Sequence, residues 1–328
     1  MCIKLIMSHL MGTLILLSSL NINAMSMYVV GDSLSDTGNI FYTLGGTITN
    51  PPYTELIPSA AYSSERLSNG PVWAERLAEN LGIDLQASLI GGTGYAYGGA
   101  RTGPLTGITP SGIPTLTRQA QTITDLPGTL SSGDLFVVWG GGNDIRDAAF
   151  TGDPIQALDI VQGSLFNISS VITSLANEGA TRFLVPNLPD LGLMPAVQLS
   201  GPLATGFISQ LTGSFNDNLA SVVLPGLELD LGIEIIDLDI ESLVDDIIFD
   251  PANFGFTNVT DACIQIGGDA CTNPEDYLFW DGIHPTAAAH FIIGNAAYAS
   301  IVPIPAAFPF FIAAISMLGF YSRHKKML

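Results

Sequence analysis

Lysine is absent from the long central stretch of this 328-residue chain, residues 25–301. The cations of that stretch are six arginines, set against 30 acidic residues, which gives it a formal charge of −24. A surface this acidic repels phosphate backbones and anionic lipid head groups, which argues against nucleic-acid binding. We interpret the excess charge as solvation alone. The apolar composition of 47% allows one large core, so a single domain is expected over 25–301.

The two ends of the chain differ from this body. Residues 1–24 combine one lysine, Lys4, with an apolar run and a small residue, Ala24, at a plausible cleavage point, which is typical of a secretory signal peptide. Residues 302–328 read VPIPAA, then an uncharged apolar segment, then Arg323, His324, Lys325 and Lys326. An apolar segment with a cationic stop is typical of a membrane anchor with its basic end in the cytoplasm.

This tail resembles the carboxy-terminal sorting tags of the PEP-CTERM kind, in a VPxPA variant. The resemblance implies export to the cell envelope or beyond, export and sorting machinery as partners, and membrane attachment through the tail until the tail is cut. A plain membrane anchor is the alternative, and it predicts the same location before processing.

Cysteine is scarce, and metal or nucleotide motifs are missing from the chain. Cys2 leaves with the predicted leader, so Cys263 and Cys271 remain. In an exported protein, and without other Cys or His nearby, this pair predicts a loop disulfide and no metal site. The chain has no H-E-x-x-H, Walker loop or paired C-x-x-C, and we expect no cofactor. It also has no G-x-S-x-G elbow, which argues against the ordinary α/β-hydrolase arrangement.

Short apolar runs alternate with longer amphipathic stretches, which predicts an α/β fold. Five nearly continuous apolar strands favour a parallel sheet covered on both faces. The loops over 42–69 and 251–277 are long enough to shape or cover a cleft. The predicted strands are 27–30, 85–90, 135–139, 182–186 and 233–238, and the predicted helices are 72–81, 115–126, 154–177, 203–223 and 286–301.

A serine, Ser33, follows the first predicted strand in the string VVGDSLSDTGN. In open α/β sheets ligands bind at the carboxyl ends of the strands, so Ser33 is a candidate nucleophile. Four specified residues recur by chance on the order of once in 10⁵ positions at average residue usage. A simple Gly-Asp turn is the alternative for the tetrapeptide seen alone.

The candidate base is His284, in the string FWDGIHPT. Asp281, three residues upstream, can reach the imidazole across a tight loop and set its tautomer. His290 lies in an Ala-rich helical stretch without such a partner, so we interpret it as structural.

Two glycine-rich segments are candidates for the donors that stabilise an oxyanion. LFVVWGGGND ends in Asn143, whose amide can point into a cleft, and TGYAYGGAR offers the backbone N–H of Gly99 or of its neighbour Gly98. A glycine-rich turn after a strand is the alternative for each. Tyr95, Tyr97 and Trp280 are candidates for an acyl pocket, although core packing is the commoner role of aromatic residues.

Taken together, these blocks resemble the GDSL, or SGNH, hydrolase family, in the branch of secreted lipases and acyltransferases. The family has conserved sequence blocks, and Ser33 matches the first of them. A glycine matches the second block, Asn143 matches the third, and Asp281 and His284 match the fifth. SNGPVWAERLAENLGI, YAYGGART and VPNLPDLGLMP also resemble that branch. Gly94 departs from it, since such relatives usually carry asparagine there.

The resemblance implies a three-layer α/β/α sandwich, flavodoxin-like, with five parallel strands, and metal-free hydrolysis of carboxylic esters through an acyl-enzyme. The catalytic triad would consist of Ser33, His284 and Asp281. The oxyanion hole would consist of the backbone N–H groups of Ser33 and Gly99 and the side-chain amide of Asn143. The substrate would be an ester of a lipid, a small molecule or a sugar. There are two alternatives. The protein could transfer the acyl group to an alcohol or lipid acceptor, or it could be a surface binding protein whose triad is not catalytic.

Overall fold

The computed structural model describes residues 25–46, 65–103, 112–128, 130–264 and 270–302. The predicted leader, nearly all of the predicted tail and most of the loop over 42–69 lie outside these residues.

The centre of the fold is a parallel sheet whose strands follow their order in the chain, β1-β2-β3-β4. Val29 of the first strand pairs with Val137 of the second, and Val185 of the third pairs with Asp237 of the fourth. The strands are β1 (Met27–Gly31), β2 (Leu135–Trp139), β3 (Arg182–Pro186) and β4 (Glu234–Leu238). Four of the five predicted strands are therefore present within one or two residues of their expected ends.

The predicted strand over 85–90 is wrong, and so is the five-stranded sheet that depended on it. Its last three residues form a 3-10 turn, and Leu89 and Ile90 are half exposed. The free edge of β1 is bordered instead by residues 93–97, which form no strand of their own. Tyr95 N–H donates to Val29 O over 2.7 Å and Tyr97 N–H to Gly31 O over 3.2 Å.

The segment over 85–90 does meet this edge, but at a single bridge. Ala87 is paired with Gly94: the N–H of Gly94 donates to Gln86 O over 2.9 Å, and the N–H of Ser88 donates to Gly94 O over 2.8 Å. Asn39 binds both segments, because its Nδ2 donates to the carbonyl oxygens of Gly94 and Ala96 at 2.8 and 2.9 Å and its Oδ1 accepts the N–H of Leu89 and the hydroxyl of Ser88. The apolar run therefore contributes one bridge and a 3-10 turn to the sheet edge in place of a strand.

All five predicted helices are present, with ends that differ from the expected ones by a few residues. The third begins at the expected residue because Asp153 accepts the N–H of Ile155 and Pro154 occupies the first helical position. These helices are α2 (Trp73–Leu81), α3 (Leu116–Thr124), α5 (Pro154–Asn177), α7 (Pro202–Asn218, continued by a π-helical turn over Leu219–Val223) and α10 (Ala287–Ile301).

Five further helices were not predicted. Three of them lie next to strands in the chain: α4 (Gly142–Phe150) follows β2, α8 (Leu224–Leu231) precedes β4, and α9 (Ile240–Phe249) follows β4. Two are short, α1 (Asn39–Thr43) and α6 (Pro195–Gln198). A small second sheet pairs β5 (Asn258–Ala262), which lies in the long predicted loop over 251–277, with β6 (Tyr277–Phe279), which begins at the last residue of that loop.

Helices cover both faces of the sheet. All five residues of β2 are buried, and successive residues of a strand point to opposite faces. Helix α10 packs against α2, while α5 packs against α3, α4 and α7 as a second group. Helix α5 is long and apolar enough to cross a membrane by length and composition, but eight of its residues are buried within the domain. The expected layering of helices, parallel sheet and helices is present.

Candidate functional site

Ser33 lies in a tight turn directly after β1. The turn is closed by the N–H of Ser35, which donates to Asp32 O over 3.1 Å, and by the N–H of Leu34, which donates to Asp32 Oδ1 over 3.1 Å. Asp32 is buried, whereas Ser33 is only partly buried and faces a cleft. The turn therefore presents the serine hydroxyl at the carboxyl end of the sheet.

His284 and Asp281 lie together in the loop between β6 and α10. Asp281 Oδ2 lies 2.7 Å from His284 Nδ1, and Asp281 Oδ1 accepts the N–H groups of Ile283 and His284 at 2.8 and 2.7 Å. An ionised carboxylate only accepts hydrogen bonds, so Nδ1 carries the proton and Nε2 has its lone pair available. Asp281 is fully buried and His284 is 2% exposed, which holds the ring in one orientation.

His290 is structural, as its sequence context indicated. Its Nδ1 accepts the backbone N–H of Trp73 over 3.2 Å, at the start of α2. Burial, with a smaller electrostatic effect of His284 in the same direction, lowers the pKa of His290 to about 3. The ring therefore stays neutral and serves as a buried hydrogen-bond acceptor.

Of the two adjacent glycine N–H groups, that of Gly98 is already engaged. It donates to Asp36 Oδ2 over 2.7 Å. Gly99 has a φ of +79°, a left-handed conformation that favours glycine. Its N–H bond to Asp36 makes Gly98 the less suitable of the two candidate donors.

The glycine at position 94, where relatives usually carry asparagine, is explained by space. A Cβ atom there would lie 2.6 Å from Thr37 Oγ1 and 2.9 Å from Gln86 O. The close approach of the turn over 86–88 to this segment therefore requires a residue without a side chain.

Asn143 lies in the first turn of α4 and lines the same cleft as Ser33 and His284. Its Nδ2 donates to Ala100 O over 2.9 Å, which ties α4 to the segment that carries Gly99. The structure thus brings all the predicted site residues to one end of the sheet, from four separate parts of the chain.

Arg101 is a site residue that the sequence reasoning missed. Its Nε and Nη2 donate to the two carboxylate oxygens of Asp147 at 2.8 and 3.0 Å, and its Nη1 donates to Gly99 O over 2.9 Å. Arg101 is 3% exposed. A buried arginine is rare unless it is paired, and the lone cation at the end of the glycine-rich string was the signal that could have found it.

The cleft has a volume of about 630 Å³, which includes space open to solvent. Its lining combines polar and apolar side chains. The polar ones are Asp32, Ser33, Asn143, Arg146 and His284, and the apolar ones are Leu34, Leu191, Met194, Val197, Ile208 and Ile283.

The three aromatic residues proposed for an acyl pocket belong to the core. Tyr95 and Tyr97 are each 9% exposed and pack in the main core. Trp280 packs in a smaller cluster with Ile40 and Cys263. Cys263 is joined to Cys271 by a disulfide, and this loop packs beside the segment that leads to Asp281.

The buried carboxyl group of Asp32, beside Ser33, has a raised pKa. Burial raises the pKa of Asp32 to about 6, while the N–H of Leu34 and the charges of His284 and Arg146 act in the opposite direction.

Within the described ranges no three His, Cys, Asp or Glu side chains are grouped so as to hold a metal ion.

The chain is similar to known proteins over most of its length. The profile of the family described as GDSL-like Lipase/Acylhydrolase matches residues 27–297. The chain is similar to a GDSL esterase/lipase of Arabidopsis thaliana, at 24% identity over 85% of this chain and 91% of that one. It is also similar to Lipase 1 of Photorhabdus luminescens, at 26% identity over 82% of this chain and 49% of that one.

A further relative is the phosphatidylcholine-sterol acyltransferase of Aeromonas hydrophila, at 25% identity over 81% of this chain and 87% of that one. Among solved structures, the acetyl xylan esterase AlAXEase aligns with 85% of this chain and all of its own, at 15% identity and a TM-score of 0.44. The protein is a hydrolase that acts on ester bonds. The chain belongs to the GDSL-like lipase/acylhydrolase family, whose profile covers most of its length.

Proposed function

We propose that the protein is an exported serine esterase that hydrolyses carboxylic esters through an acyl-enzyme. The observation that carries the proposal is that Ser33 and His284 line one cleft while Asp281 binds Nδ1 of His284 from behind. This is the relationship between nucleophile, base and orienting carboxylate that a serine hydrolase requires.

In the first half of the reaction, Ser33 Oγ attacks the ester carbonyl carbon and its proton passes to His284 Nε2. The carbonyl oxygen becomes an oxyanion, which the N–H groups of Ser33 and Gly99 and the amide of Asn143 stabilise. His284 then gives its proton to the leaving alcohol as the carbon–oxygen bond breaks, and the acyl group remains on Ser33.

In the second half, water attacks the acyl-enzyme, and His284 takes its proton and returns it to Ser33 as the acid leaves. Throughout, Asp281 holds the imidazole in place through Oδ2, while its Oδ1 accepts two backbone N–H groups. No cofactor enters this scheme.

Acyl transfer is the second candidate, because the same residues can deliver the acyl group to an alcohol in place of water. The similarity to an acyltransferase of Aeromonas hydrophila favours it. Product analysis in the presence of a competing alcohol separates the two activities: a new ester indicates transfer, and free acid alone indicates hydrolysis.

Export is part of the proposal. It is supported by the leader-like composition of residues 1–24, by the tag-like residues 302–328 and by the disulfide between Cys263 and Cys271. Fractionation of cells that express the full chain, with detection of the mature amino terminus, tests it. Full-length protein in the cytoplasm would contradict export without affecting the chemistry.

The test of the chemistry is the hydrolysis of p-nitrophenyl esters by the protein and by Ser33→Ala. We expect kcat to fall by at least about 10³-fold in this variant, because only binding and oxyanion stabilisation remain. Ser35→Ala is the matched control, since Ser35 Oγ accepts the indole N–H of Trp73 and takes no part in the proposed reaction. Retained activity, or labelling by a fluorophosphonate in Ser33→Ala, would overturn the assignment.

A further inference from the structure

Asp32 has a buried carboxyl group beside the nucleophile, and the proposed reaction does not use it. The residue directly precedes Ser33 and is 4% exposed, yet it belongs to the lining of the cleft. Its Oδ1 accepts the N–H of Leu34 over 3.1 Å, a bond that the oxygen of a neutral amide can also accept. The turn after β1 therefore requires an acceptor at position 32, but it does not require a charge there.

His284 has two carboxyl groups as neighbours. Asp281 Oδ2 lies 2.7 Å from its Nδ1, whereas Asp32 lines the cleft with it, and the charges of Asp32 and His284 interact. His290, also within electrostatic reach of His284, is neutral because burial lowers its pKa to about 3. In the proposed reaction the ring of His284 becomes an imidazolium each time it takes a proton. A negative charge close to that cation stabilises it, so the charge state of Asp32 affects the strength of the base.

Arg146 is the cation among the described residues that line the cleft. It follows Asn143 by one turn of α4, so the two side chains share one face of the helix, and that face borders the cleft. Its Nη2 lies 3.4 Å from Asp147 Oδ1, and Asp147 is in turn bound through both oxygens by Arg101. The guanidinium of Arg146 is therefore held in place at the cleft, where it adds a positive charge to an otherwise acidic domain.

The charge of Arg146 acts on Asp32. Burial raises the pKa of Asp32, and the N–H of Leu34 and the charges of His284 and Arg146 oppose that rise, so that the pKa is about 6. At neutral pH most of these carboxyl groups are therefore ionised. Arg146 also offsets the unfavourable effect of this carboxylate on an oxyanion at Asn143, because the two residues lie on the same helix face.

From this alternation of carboxyl groups and cations we propose that Asp32 acts through His284, whose imidazolium it stabilises, and that Arg146 acts through Asp32, which it keeps ionised. Both are positioning residues, since neither takes part in bond making or breaking. The consequence is a dependence of activity on pH that goes beyond the protonation of the base itself. This inference rests on the proposed function, because it requires His284 as the base.

The first measurement is the dependence of kcat and kcat/KM on pH, for the full chain and for Asp32→Asn, on p-nitrophenyl butyrate from about pH 5 to 9. The variant keeps an acceptor for the Leu34 N–H and loses the charge. We expect kcat at the alkaline plateau to fall roughly 3- to 10-fold with KM unchanged, because the imidazolium formed in the reaction is less stable. The acid limb of kcat/KM should move to lower pH by about 0.5–1 unit, because the free enzyme binds the inhibitory proton less tightly.

The second measurement uses Arg146→Gln, which should move the acid limb in the opposite direction. Without the cation, Asp32 keeps its proton to a higher pH, so activity between about pH 6 and 7 should fall roughly 3- to 10-fold, and the loss should become smaller above about pH 8. Arg146→Lys keeps the positive charge and should have a profile close to that of the wild type. Arg118→Gln, an exposed change on α3, is the control for the loss of one positive charge.

The double variant of Asp32→Asn with Arg146→Gln tests whether the two residues act as a pair. Its acid limb should coincide with that of Asp32→Asn, since no carboxyl group is left for the cation to keep ionised. An equal shift from Arg146→Gln in both backgrounds, or a rise in KM with an unmoved acid limb, would overturn the role of Arg146. Wild-type kcat and a wild-type acid limb in Asp32→Asn would overturn the inference as a whole.

Folding and the proposed function are checked separately. Urea denaturation shows whether each variant is folded, and if Asp32→Asn does not fold, the contrast between Arg146→Gln and Arg146→Lys still decides the inference. If Ser33→Ala keeps the activity, the proposed function fails and the inference fails with it. If Ser33→Ala abolishes turnover while the acid limb is the same in all the other variants, only the inference fails.

Discussion

The backbone N–H of Gly98 donates to Oδ2 of Asp36 over 2.7 Å, across 62 residues of sequence. The same carboxylate accepts the N–H groups of Gly38, Asn39 and Ile40 at 2.8, 2.6 and 3.0 Å. Asp36 thus joins the start of α1 to the segment that carries Gly99, and it removes the Gly98 N–H from the choice of oxyanion donors.

Replacement of Asp36 by asparagine should lower both stability and activity. An amide offers one acceptor oxygen and turns its own N–H groups toward bound donors, which leaves at least one buried N–H unpaired at a cost of about 1–3 kcal/mol. Urea denaturation and kcat measure the two effects. Asp159→Asn, on the exposed face of α5, is the control; an equal unfolding free energy in the two variants would contradict the role of Asp36.

Replacement of Arg101 by methionine should lower kcat by roughly 10- to 100-fold with little change in KM. Arg101 holds the Gly99 peptide and Asp147 of α4 together, so its loss misplaces an oxyanion donor without removing it. Steady-state kinetics on a short-chain ester give the two constants. Arg118→Met, an exposed change on α3, should leave both unchanged. A rise in KM at constant kcat would mean that Arg101 acts in substrate binding instead.

The two described histidines should respond oppositely to the same substitution. His284→Phe is expected to lower kcat by about 10³-fold or more, since it removes the proposed base. His290→Phe is expected to retain most of kcat but to lose about 1–3 kcal/mol of unfolding free energy, because the Trp73 N–H loses its acceptor. Steady-state kinetics give kcat of both variants, and urea denaturation gives their unfolding free energies. Loss of activity in folded His290→Phe would contradict a purely structural role.

Asp144 should make stability depend on pH. Burial raises the pKa of its carboxyl to about 7, although Thr102 donates to it through its hydroxyl and its N–H. Between pH 4 and 7 the unfolded chain has released this proton while the folded chain keeps it. The associated stability is therefore present below pH 4 and is lost as the pH rises to 7.

Asp144→Asn isolates this contribution from those of other buried groups such as Asp32 and His290. The unfolding free energy of the wild type minus that of the variant should fall by up to about 1.4 kcal/mol per pH unit between pH 4 and 7. Above pH 8 the difference should be flat. A difference that stays constant from pH 4 to pH 8 would show that Asp144 ionises normally in the folded protein.

Much of the fold was predictable because local patterns agree with the tertiary structure. Strands β1, β2 and β3 are largely buried and nearly continuous apolar runs, and α5 begins with an Asp-Pro cap that acts within a few residues. The strand over 85–90 was mispredicted for the opposite reason. Its apolar pattern is that of a strand, but it meets the edge segment in a single bridge, Ala87 with Gly94, and then forms a 3-10 turn whose Leu89 N–H is bound by the distant Asn39.

The candidate site also contains residues that local motifs indicate and residues that depend on distant contacts. Short motifs identified Ser33, Asp281, His284 and Asn143, because a nucleophile turn and an Asp-x-x-His loop are local arrangements. The sequence reasoning missed Arg101, because its function as an anchor depends on Asp147, a partner 46 residues away.

The amino-acid sequence alone therefore determined which candidate catalytic groups the chain carries. The hydroxyl, imidazole and carboxylate groups belong to single residues, and these residues lie in short motifs that can be recognised without a structure. Tertiary structure decided the rest: that the Gly98 N–H is bound to Asp36, that four strands form the sheet, and that Arg101 joins the Gly99 peptide to Asp147 of α4. Each of these depends on contacts between distant segments, and such contacts are set by the competition of all segments for the same space and the same hydrogen-bond partners.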